Sequence, residues 1–574
     1  MKARTRLFQK ANLYRRALSR LKRSFVMVGL FSAAVNILML TGPMFMLQVY
    51  DRVLSSSSVA TLQGLVIIMV VAYIFLGIYD FLRVRVLSRG AYRLDREVGG
   101  AAYDLWVRSG MEGAGPVGRP LSDLAVVRGF LSSPAILGFF DAPWIPFYLA
   151  IVFIVHPWLG ILAIAGTLVV VVLALANQWL TQRHVAEAMR MDGAESFLVE
   201  QSRRNAETIM TLGMARPIAS RWSSMHASGL ATGQRGGDRS EGFTAASKAF
   251  RLLLQSAILG LGGYLALQQE ITAGMIVAAS IIAGRALAPV DQVIGAWRNV
   301  VRAREAQKRL VAAFDTLPAP SMPINLPDPV GHLAVMGATK FAPARERRRD
   351  RPPILDQVSF RLEPGDGLGV IGPSASGKST LARVLVGAWP LEAGEIRLDE
   401  ATLDQWPPEA LGRHIGYLPQ HLELLAGTIR DNIARFDPEA ADEDVIAAAQ
   451  LAGVHEMILH LPEGYATELG FGQSPLSGGQ VQRIGLARAV FRTPRYVVLD
   501  EPNANLDSSG DEALSRAILA LREAGSTVIV MAHRPSAIAA VNKVLVLHAG
   551  RVARFGDKSE VLQKSVRPVA REGA

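Results

Sequence analysis

The sequence contains no cysteine among its 574 residues, and this absence excludes a disulfide framework and any chemistry that depends on a thiolate. Charged residues are also scarce, at 19% of the chain against 50% hydrophobic residues, and the mean hydropathy is positive. A typical soluble domain carries about 25% charged residues. The composition therefore favours a membrane protein, and a chain of this length has room for several domains.

Acidic residues are missing from the first 23 positions, which hold nine of the 61 lysines and arginines. The formal net charge of +11 is compatible with a nucleic-acid partner, but this basic segment stands directly before an uncharged run. Lysine and arginine concentrate on the cytoplasmic flanks of membrane helices. We therefore predict a basic cytoplasmic N-terminus over residues 1–23, contact with membrane lipid and no nucleic-acid partner.

Formal charge is absent from Ser24–Tyr50 and Val53–Tyr79, each 27 residues long, and from the 41 residues of Ala142–Gln182. A membrane helix needs about 20 apolar residues, whereas the apolar core of a signal peptide has only about 7–15. Each of the first two runs therefore predicts one span, and the third predicts two helices that turn at His156-Pro157. Two further runs complete six predicted spans: Leu252–Leu267 and Ile271–Trp297.

Arginine is frequent in the segments that this map places inside and sparse in those that it places outside, which predicts a multi-pass membrane protein with a cytoplasmic N-terminus. Two long inside segments, about 81–138 and 181–248, have helical patterns. The proline-rich stretch "LPAPSMPINLPDPVG" then separates the spans from a soluble half. We predict a membrane domain over residues 24–315, a linker over 316–332 and a cytoplasmic domain over 333–574.

Short β-branched runs alternate with helical segments in the soluble half, which predicts an α/β sheet. The runs "GLGVIG", "YVVLD" and "TVIVMAH" have the composition of buried strands, and "KVLVLHAGRVARFG" has that of a hairpin. The segment "GPSASGKST", residues 372–380, follows the first of these strands and matches the P-loop pattern. Its glycines allow backbone N–H groups to close on phosphate oxygens, and the following helix directs its positive end toward them.

The P-loop supplies seven of the predicted nucleotide-binding residues: Gly372, Ser374, Ser376, Gly377, Lys378, Ser379 and Thr380. Within it, Lys378 is placed to reach the β- and γ-phosphates, and Ser379 to ligate Mg²⁺. Asp500 ends the strand "YVVLD", where it can hold the same Mg²⁺, and the adjacent Glu501 can orient or deprotonate the attacking water. His533 ends "TVIVMAH" and either bonds the γ-phosphate or is structural. We therefore predict an ATPase that uses ATP and Mg²⁺.

The segment "LSGGQ", residues 476–480, together with these motifs, makes the chain resemble the ATP-binding cassette (ABC) family. The resemblance implies that this signature caps the γ-phosphate bound by a second cassette. The capping residues would be Ser477, Gly478, Gly479 and Gln480. The resemblance also implies that Gln420 contacts Mg²⁺ or the attacking water, that Asp507 spans the dimer interface, and that His533 is the switch histidine.

The fold class implied by the resemblance is an all-α membrane domain of six helices, of the type I ABC exporter kind, fused to an α/β P-loop nucleotide-binding domain. Because each ATP site needs a P-loop and a signature from opposite cassettes, a homodimer is also implied. One region departs from the family pattern, in which a tyrosine often stacks on adenine before the P-loop. Here the sequence reads "TKFAPARERRRDRPPIL", with Phe341 as the aromatic candidate.

Segments of the membrane half, such as "LTGPMFMLQVYDRVLSS" and "GRALAPVDQVIGAWRN", resemble type I secretion ATPases that export proteases and lipases. The short segment before the first span is too small for the peptidase-like domain of other toxin exporters. The resemblance then implies an unfolded polypeptide cargo with a C-terminal signal, a periplasmic membrane-fusion protein and an outer-membrane channel. The main alternative is an exporter of lipids or amphipathic small molecules. A more distant alternative is an ATP-gated channel.

Two ionisable residues, Arg285 and Asp291, lie within the sixth predicted span beside Pro289. Charged groups inside a membrane are costly and usually face a cavity or a partner. We expect Arg285 either to line the export conduit, where it meets polar or acidic polypeptide, or to form a pair within the membrane domain, for example with Asp291.

Overall fold

The computed structural model describes residues 13–111, 119–315, 326–342, 352–470, 476–532 and 538–563. The chain divides into two compact units. Among the described residues, the helical unit comprises essentially 13–109 and 119–315, and the α/β unit comprises 326–563. The predicted linker lies mostly outside the described residues, so the predicted boundaries at residues 315 and 332 stay predictions.

The helical unit is built from helices α1 to α11, of which α3, α7 and α9 have 51, 48 and 53 residues. Their bounds are α1 Leu13–Leu38, α2 Thr41–Gln48, α3 Val59–Ser109, α4 Pro120–Leu131, α5 Ala135–Asp141, α6 Ile145–Val155, α7 Pro157–Arg204, α8 Ala206–Thr211, α9 Ala215–Leu267, α10 Ala273–Gly295 and α11 Trp297–Asp315. A π-helical turn over Val49–Val53 and a helical turn over Leu54–Ser56 follow α2, and a 3₁₀ turn over Ala142–Trp144 joins α5 to α6.

Six helical segments in the described part of the chain are long and apolar enough to cross a membrane, which confirms the predicted number of spans. The predicted turn between the third and fourth spans is also confirmed. Helix α6 ends at Val155, His156 is extended, and Pro157 begins α7. Proline suits this first helical position because its missing N–H has no partner there, and His156 Nδ1 accepts the N–H of Trp158 at 3.3 Å.

The described residues of the two long segments predicted inside are largely helical, as expected. Helix α3 continues past its span to Ser109, and α7 continues to Arg204. Helices α7 and α9 pack closely, because Gly166 of α7 faces Leu254 of α9. A Cβ at position 166 would lie 2.3 Å from a methyl carbon of Leu254, so only glycine allows this approach.

A buried ion pair joins the helices of the first three spans. Arg83 of α3 donates from Nη1 to both carboxylate oxygens of Asp141 at 3.1 Å. Asn36 of α1 donates to Asp141 Oδ1 at 2.8 Å, and the Tyr148 hydroxyl of α6 donates to Asn36 Oδ1 at 2.9 Å. The Arg83 and Asp141 side chains are only 7% and 11% exposed. Each charge therefore has hydrogen-bonded partners in a site without access to bulk water.

Replacing Asp141 by asparagine should destabilise the helical unit by about 3–5 kcal/mol, because it leaves the buried guanidinium of Arg83 without its buried counter-charge. Asp80 gives a matched control, since it contacts the same guanidinium at 2.7 Å but is 48% exposed. Asp80→Asn should cost less than about 1 kcal/mol. Thermal unfolding of the two variants in detergent checks this, and equal losses would contradict the assigned role of the Asp141 pair.

The α/β unit contains twelve described strands, which form sheets of six, four and two strands. Their bounds are β1 Leu333–Lys340, β2 Leu355–Leu362, β3 Gly367–Ile371, β4 Ala393–Leu398, β5 Ala401–Thr402, β6 Ile415–Leu418, β7 Gly427–Thr428, β8 Glu468–Leu469, β9 Tyr496–Asp500, β10 Thr527–Met531, β11 Lys543–His548 and β12 Arg551–Asp557. The six-stranded sheet has the order β12-β11-β3-β10-β9-β6, and β1, β2, β4 and β5 form the antiparallel sheet.

The six-stranded sheet confirms the α/β prediction, and five of its strands were predicted, whereas β6 was not. The three runs predicted as buried strands form β3, β9 and β10, and the predicted hairpin forms β11 and β12. The strands from β11 to β6 are parallel. Helices of this unit are α12 Lys378–Leu385, α13 Pro408–His414, α14 Ile429–Ile433, α15 Asp442–Leu451, α16 His455–Leu459, α17 Gly478–Val490, α18 Ser508–Glu523 and α19 Lys558–Gln563.

Helices cover both faces of this parallel sheet. Along β9, Val498 points into a core shared with α12, whereas Val497 and Leu499 point into a core shared with α17 and α18. This alternation follows from the two-residue period of a strand, and all five residues of β9 are buried. The sheet is therefore a rigid central layer, and the loops after its strands stand at one edge.

Candidate functional site

The carboxyl ends of β3, β9 and β6 bring three predicted site segments to one edge of the sheet. Because these strands lie in one parallel sheet, the residues that follow them leave on the same side. The P-loop follows β3, Asp500 ends β9 and Glu501 follows it, and Gln420 stands two residues after the end of β6. Parallel pairing thus collects residues that are about 120 positions apart in sequence.

The P-loop turns sharply into α12. Gly377 has a φ of 103°, and a Cβ there would lie 2.9 Å from the carbonyl oxygen of Ile354. Lys378 Nζ donates to the carbonyls of Gly372 and Pro373 at 2.8 and 3.0 Å, so its ammonium stays over the loop. Burial lowers the pKa of Lys378, while the charges of Glu501 and Asp500 act in the opposite direction. This arrangement holds a cation where phosphate would bind.

The remaining P-loop residues occupy three environments. Ser374 is exposed, whereas Thr380 is buried in the first turn of α12. Ser376 is 3% exposed, and its hydroxyl has no hydrogen-bond partner among the described residues. A buried hydroxyl without a partner costs free energy, and a phosphate oxygen would satisfy it.

Ser379, Gln420, Asp500 and Glu501 form one polar cluster, as the sequence predicted. Ser379 Oγ lies 3.3 Å from Asp500 Oδ1 and 3.4 Å from Gln420 Oε1. Gln420 Nε2 donates to Glu501 Oε2 at 3.1 Å. Asp500 is 1% exposed, and its Oδ2 has no hydrogen-bond partner among the described residues. Burial raises the pKa of Asp500, and the hydrogen bond from Ser379 opposes this effect.

This cluster suits a magnesium ion. A hydroxyl oxygen, an amide carbonyl oxygen and a carboxylate converge around Ser379, and oxygen atoms of this kind are the ligands that Mg²⁺ prefers. A cation there would also offset the burial that raises the pKa of Asp500, and it would satisfy the unpartnered Oδ2. The oxygen donors present therefore fit the predicted Mg²⁺ set of Ser379, Gln420 and Asp500.

Glu501 is held in an unusual backbone conformation. Its φ is 52°, in the left-handed region, which costs a residue with a side chain about 1–2 kcal/mol. Its N–H donates to the carbonyl of Met531 at 3.1 Å, which fixes the turn that follows β9. Strain of this kind persists where the surrounding structure imposes it, and it clusters at functional sites. The turn presents the Glu501 carboxylate to Gln420.

The signature segment begins a helix, and its residues cap that helix. Ser477 is extended, and its Oγ accepts the N–H of Gln480 at 3.4 Å. In return Gln480 Oε1 accepts the N–H of Ser477 at 2.8 Å, which completes a capping box. The two glycines follow at the first positions of α17. A Cβ at Gly479 would lie 2.8 Å from the carbonyl oxygen of Asn505, so close packing explains the second glycine.

The loop that follows Glu501 packs on the signature helix of the same chain. Gln482 Nε2 donates to the carbonyl of Pro502 at 3.2 Å, and Arg483 Nη2 donates to Asp507 Oδ1 at 2.5 Å. Asp507 also caps α18 by accepting the N–H of Gly510, and this hydrogen bond is the main cause of its lowered pKa. These hydrogen bonds attach the loop to α17.

The predicted site residues thus fall into two groups. No hydrogen bond joins residues 477–480 to residues 372–380 in the described part of the chain. His533 lies outside the described residues, so its predicted role stays a prediction. Phe341 directly follows β1 and is 41% exposed, and most of the arginine-rich segment after it also lies outside the described residues.

The sequence did not predict any role for Arg435. Its guanidinium donates to the carbonyls of Gly412, Ile415, Arg488 and Ala489 at 2.6–3.0 Å. These carbonyls belong to the last turns of α13 and α17 and to the first residue of β6, where helix dipoles favour a cation. Burial lowers the pKa of Arg435 to about 10. Arg435 therefore connects the signature helix with β6, the strand that leads to Gln420. No short sequence motif predicts such a contact.

Comparison with known proteins agrees with both units. A family model described as ABC transporter matches residues 355–504, and one described as ABC transporter transmembrane region matches residues 25–287. The type I secretion system ATP-binding protein PrsD of Rhizobium meliloti (strain 1021) is 44% identical over 556 residues, which cover 96% of this chain and 94% of that protein. The chain belongs to the ABC transporters of type I secretion systems. It is an ATP-hydrolysing, multi-pass membrane transporter.

More distant relatives share the same plan. The exotoxin translocation ATP-binding protein PaxB of Pasteurella aerogenes is 29% identical over 95% of this chain and 77% of its own length. A solved bacterial Atm1-family ABC exporter with ATP bound aligns with a TM-score of 0.78 at 24% identity, covering 95% of this chain and 96% of that one. This likeness confirms the predicted fold class, a six-helix exporter domain fused to an ABC nucleotide-binding domain.

The two signature glycines should respond differently to alanine. Gly479→Ala should lower the stability of the nucleotide-free protein by about 1–3 kcal/mol, because its new methyl overlaps the Asn505 carbonyl. Gly478→Ala is the matched control, since its Cβ would have no neighbour closer than 3.9 Å and alanine favours a helix. Thermal unfolding without nucleotide measures both, and an unchanged stability for Gly479→Ala would refute this packing role.

Proposed function

We propose that this chain uses ATP hydrolysis to export unfolded polypeptides across the inner membrane as part of a type I secretion system. The observation that carries the proposal is the cluster of Ser379, Gln420, Asp500 and Glu501 in a chain with six candidate membrane spans. The 44% identity to PrsD supports the secretion assignment. The N-terminus and the α/β unit are cytoplasmic in this proposal, as the distribution of arginine predicts.

The phosphates of ATP bind at the P-loop. Backbone N–H groups of residues 372–380 surround them, Lys378 exchanges its two loop carbonyls for phosphate oxygens, and Ser376 donates its unpartnered hydroxyl. Ser379, Asp500 and Gln420 would hold Mg²⁺, which would supply charge neutralisation at the transferring phosphate. Glu501, positioned by Gln420, orients and deprotonates the attacking water, and His533 bonds the γ-phosphate.

The signature group completes the ATP site of a second chain. Ser477 Oγ accepts a hydrogen bond in its own capping box, and its hydroxyl hydrogen can still donate to a phosphate oxygen. Gly478, Gly479 and Gln480 bring the helix N-terminus close to that phosphate, where its dipole favours negative charge. Asp507 lies at the same interface. A homodimer therefore has two ATP sites, each formed by both chains.

The cargo in this proposal is a polypeptide with a C-terminal secretion signal, such as a protease or lipase. A periplasmic membrane-fusion protein and an outer-membrane channel act as partners, and membrane lipid surrounds the spans. The relatives support this reading, because PrsD is a type I secretion system ATP-binding protein and PaxB is an exotoxin translocation ATP-binding protein. Export of lipids or amphipathic small molecules is the competing function that the experiment must exclude.

The test is a secretion assay with a compatible fusion protein, an outer-membrane channel and a reporter that carries a C-terminal secretion segment. We expect reporter outside cells that express the native chain and none with Glu501→Gln, whose ATPase rate should fall by about 10²–10⁴-fold through loss of the base. Glu456→Gln makes the same chemical change at an exposed position of α16 and should leave both activities unchanged.

A native chain that hydrolyses ATP but exports no reporter would contradict the proposal. Stimulation of its ATPase by lipid, with no response to the secretion segment, would then identify the competing function. Reporter export by Glu501→Gln at the native rate would contradict the catalytic assignment alone.

A further inference from the structure

Arg285 is a charged residue inside a candidate membrane span, and no carboxylate among the described residues pairs with it. It lies near the middle of α10. The pairing with Asp291 that the sequence left open is not formed; Asp291 instead accepts hydrogen bonds from Ser247 Oγ and Arg251 Nη1, both at 2.8 Å. Arg285 forms no ion pair with any described residue. Its charge is therefore not neutralised as those of Arg83 and Arg251 are.

The one hydrogen-bond contact described for the Arg285 guanidinium is weak. Nη1 lies 3.6 Å from the sulfur of Met39, and the Arg285 side chain is exposed in the single chain. A thioether is a poor acceptor, so it does not replace the water that a guanidinium loses on entering a membrane. An arginine that faces hydrocarbon in this way carries a large energetic cost. The surroundings of Arg285 in the assembly must therefore be polar.

The contact residue Met39 stands at an interruption of the first span. Helix α1 ends at Leu38, and the Leu40 N–H bonds to the carbonyl of Ile37 rather than to that of Asn36. The Asn36 carbonyl instead accepts the Tyr148 hydroxyl at 2.8 Å. Irregular backbone at membrane depth is tolerated only where protein buries it or where it lines a water-filled cavity.

Two other spans are also interrupted close to this place. The 3₁₀ turn at Ala142–Trp144 separates α5 from α6, and Pro289 interrupts the hydrogen bonding of α10. These interruptions are neighbours, since a Cβ at Gly138 of α5 would lie 3.3 Å from the Pro289 carbonyl. Many secondary transporters place substrate sites where broken helices meet near the middle of the membrane, which gives a precedent for a site at such interruptions.

We propose that Arg285 is a binding site for carboxylate groups of the exported polypeptide, in a polar cavity bordered by the interrupted spans. Aspartate and glutamate side chains and the terminal carboxylate all have this chemistry. Arginine keeps its charge at every physiological pH, and its planar fork matches a carboxylate with two parallel hydrogen bonds. This site rests on the proposed export function, and it makes acidic unfolded segments the preferred cargo.

The binding test uses two synthetic unfolded peptides, one of alternating aspartate and serine and one with asparagine in place of aspartate. Anisotropy of a neutral fluorophore on each peptide gives its affinity for the full-length protein in detergent. The native protein should bind the acidic peptide about tenfold more tightly, the gain expected from one charge-assisted contact. Arg285→Gln should abolish this preference, and Arg285→Lys should keep most of it.

The absence of cysteine from the chain provides a second readout. Arg285→Cys carries the only thiol, so a methanethiosulfonate reagent with an ammonium group should restore the preference for the acidic peptide, while its sulfonate analogue should not. Arg89→Gln removes one exposed positive charge from α3 and should behave as the native protein. An unreactive thiol at position 285, as expected if a second copy or lipid covers it, would overturn the proposal.

The binding and secretion results separate the two proposals. An acidic preference that depends on Arg285, with no reporter export by the native chain, would keep the carboxylate site and reject the export function. Reporter export together with an acidic preference that Arg285→Gln leaves intact would reject the site and keep the export function.

Discussion

The parallel pairing of β3, β10, β9 and β6 is the constraint on which the ATP site depends. It places the P-loop, Asp500, Glu501 and Gln420 at one edge of a buried sheet, although they are far apart in sequence. The energetic features of the site follow from this placement: a buried unpartnered carboxylate oxygen, a lysine with a lowered pKa and a glutamate in the left-handed region. Each is costly alone: the carboxylate oxygen suits Mg²⁺, the lysine suits phosphate, and the strained turn presents the Glu501 carboxylate to Gln420.

A different constraint governs the helical unit, where polar groups in the spans must find partners within the protein. Two ion pairs between helices meet this requirement: Arg83 with Asp141, and Arg251 with Asp291. Arg285 has no such charged partner among the described residues, and it lies beside interrupted helices. Paired charges hold the spans together, whereas an unpaired charge keeps its binding capacity for another molecule. In the proposal made above, stability and transport thus use arginine in opposite ways.

The sequence predicted those features that depend on neighbouring residues. Uncharged runs located the spans, Pro157 located a turn, and short motifs identified Lys378, Ser379 and Asp500, because each stands at the end of a recognisable strand or at the start of a helix. The sequence did not predict the contacts between distant segments. Arg251 pairs with Asp291 across 40 positions, Gly479 packs on Asn505, and Arg435 binds carbonyls of three elements. These depend on packing, which no local pattern encodes.

The division of each ATP site between two chains is the central claim, and a mixed dimer tests it most directly. One copy would carry Lys378→Ala and the other Ser477→Asp, which keeps the helix cap but repels phosphate. Two different tags would isolate the mixed species, and its ATPase rate would be measured. Sites shared between chains predict one intact site and a rate well above that of either mutant homodimer. A rate no higher than those homodimers would contradict the account, because it would place both halves of a site in one chain.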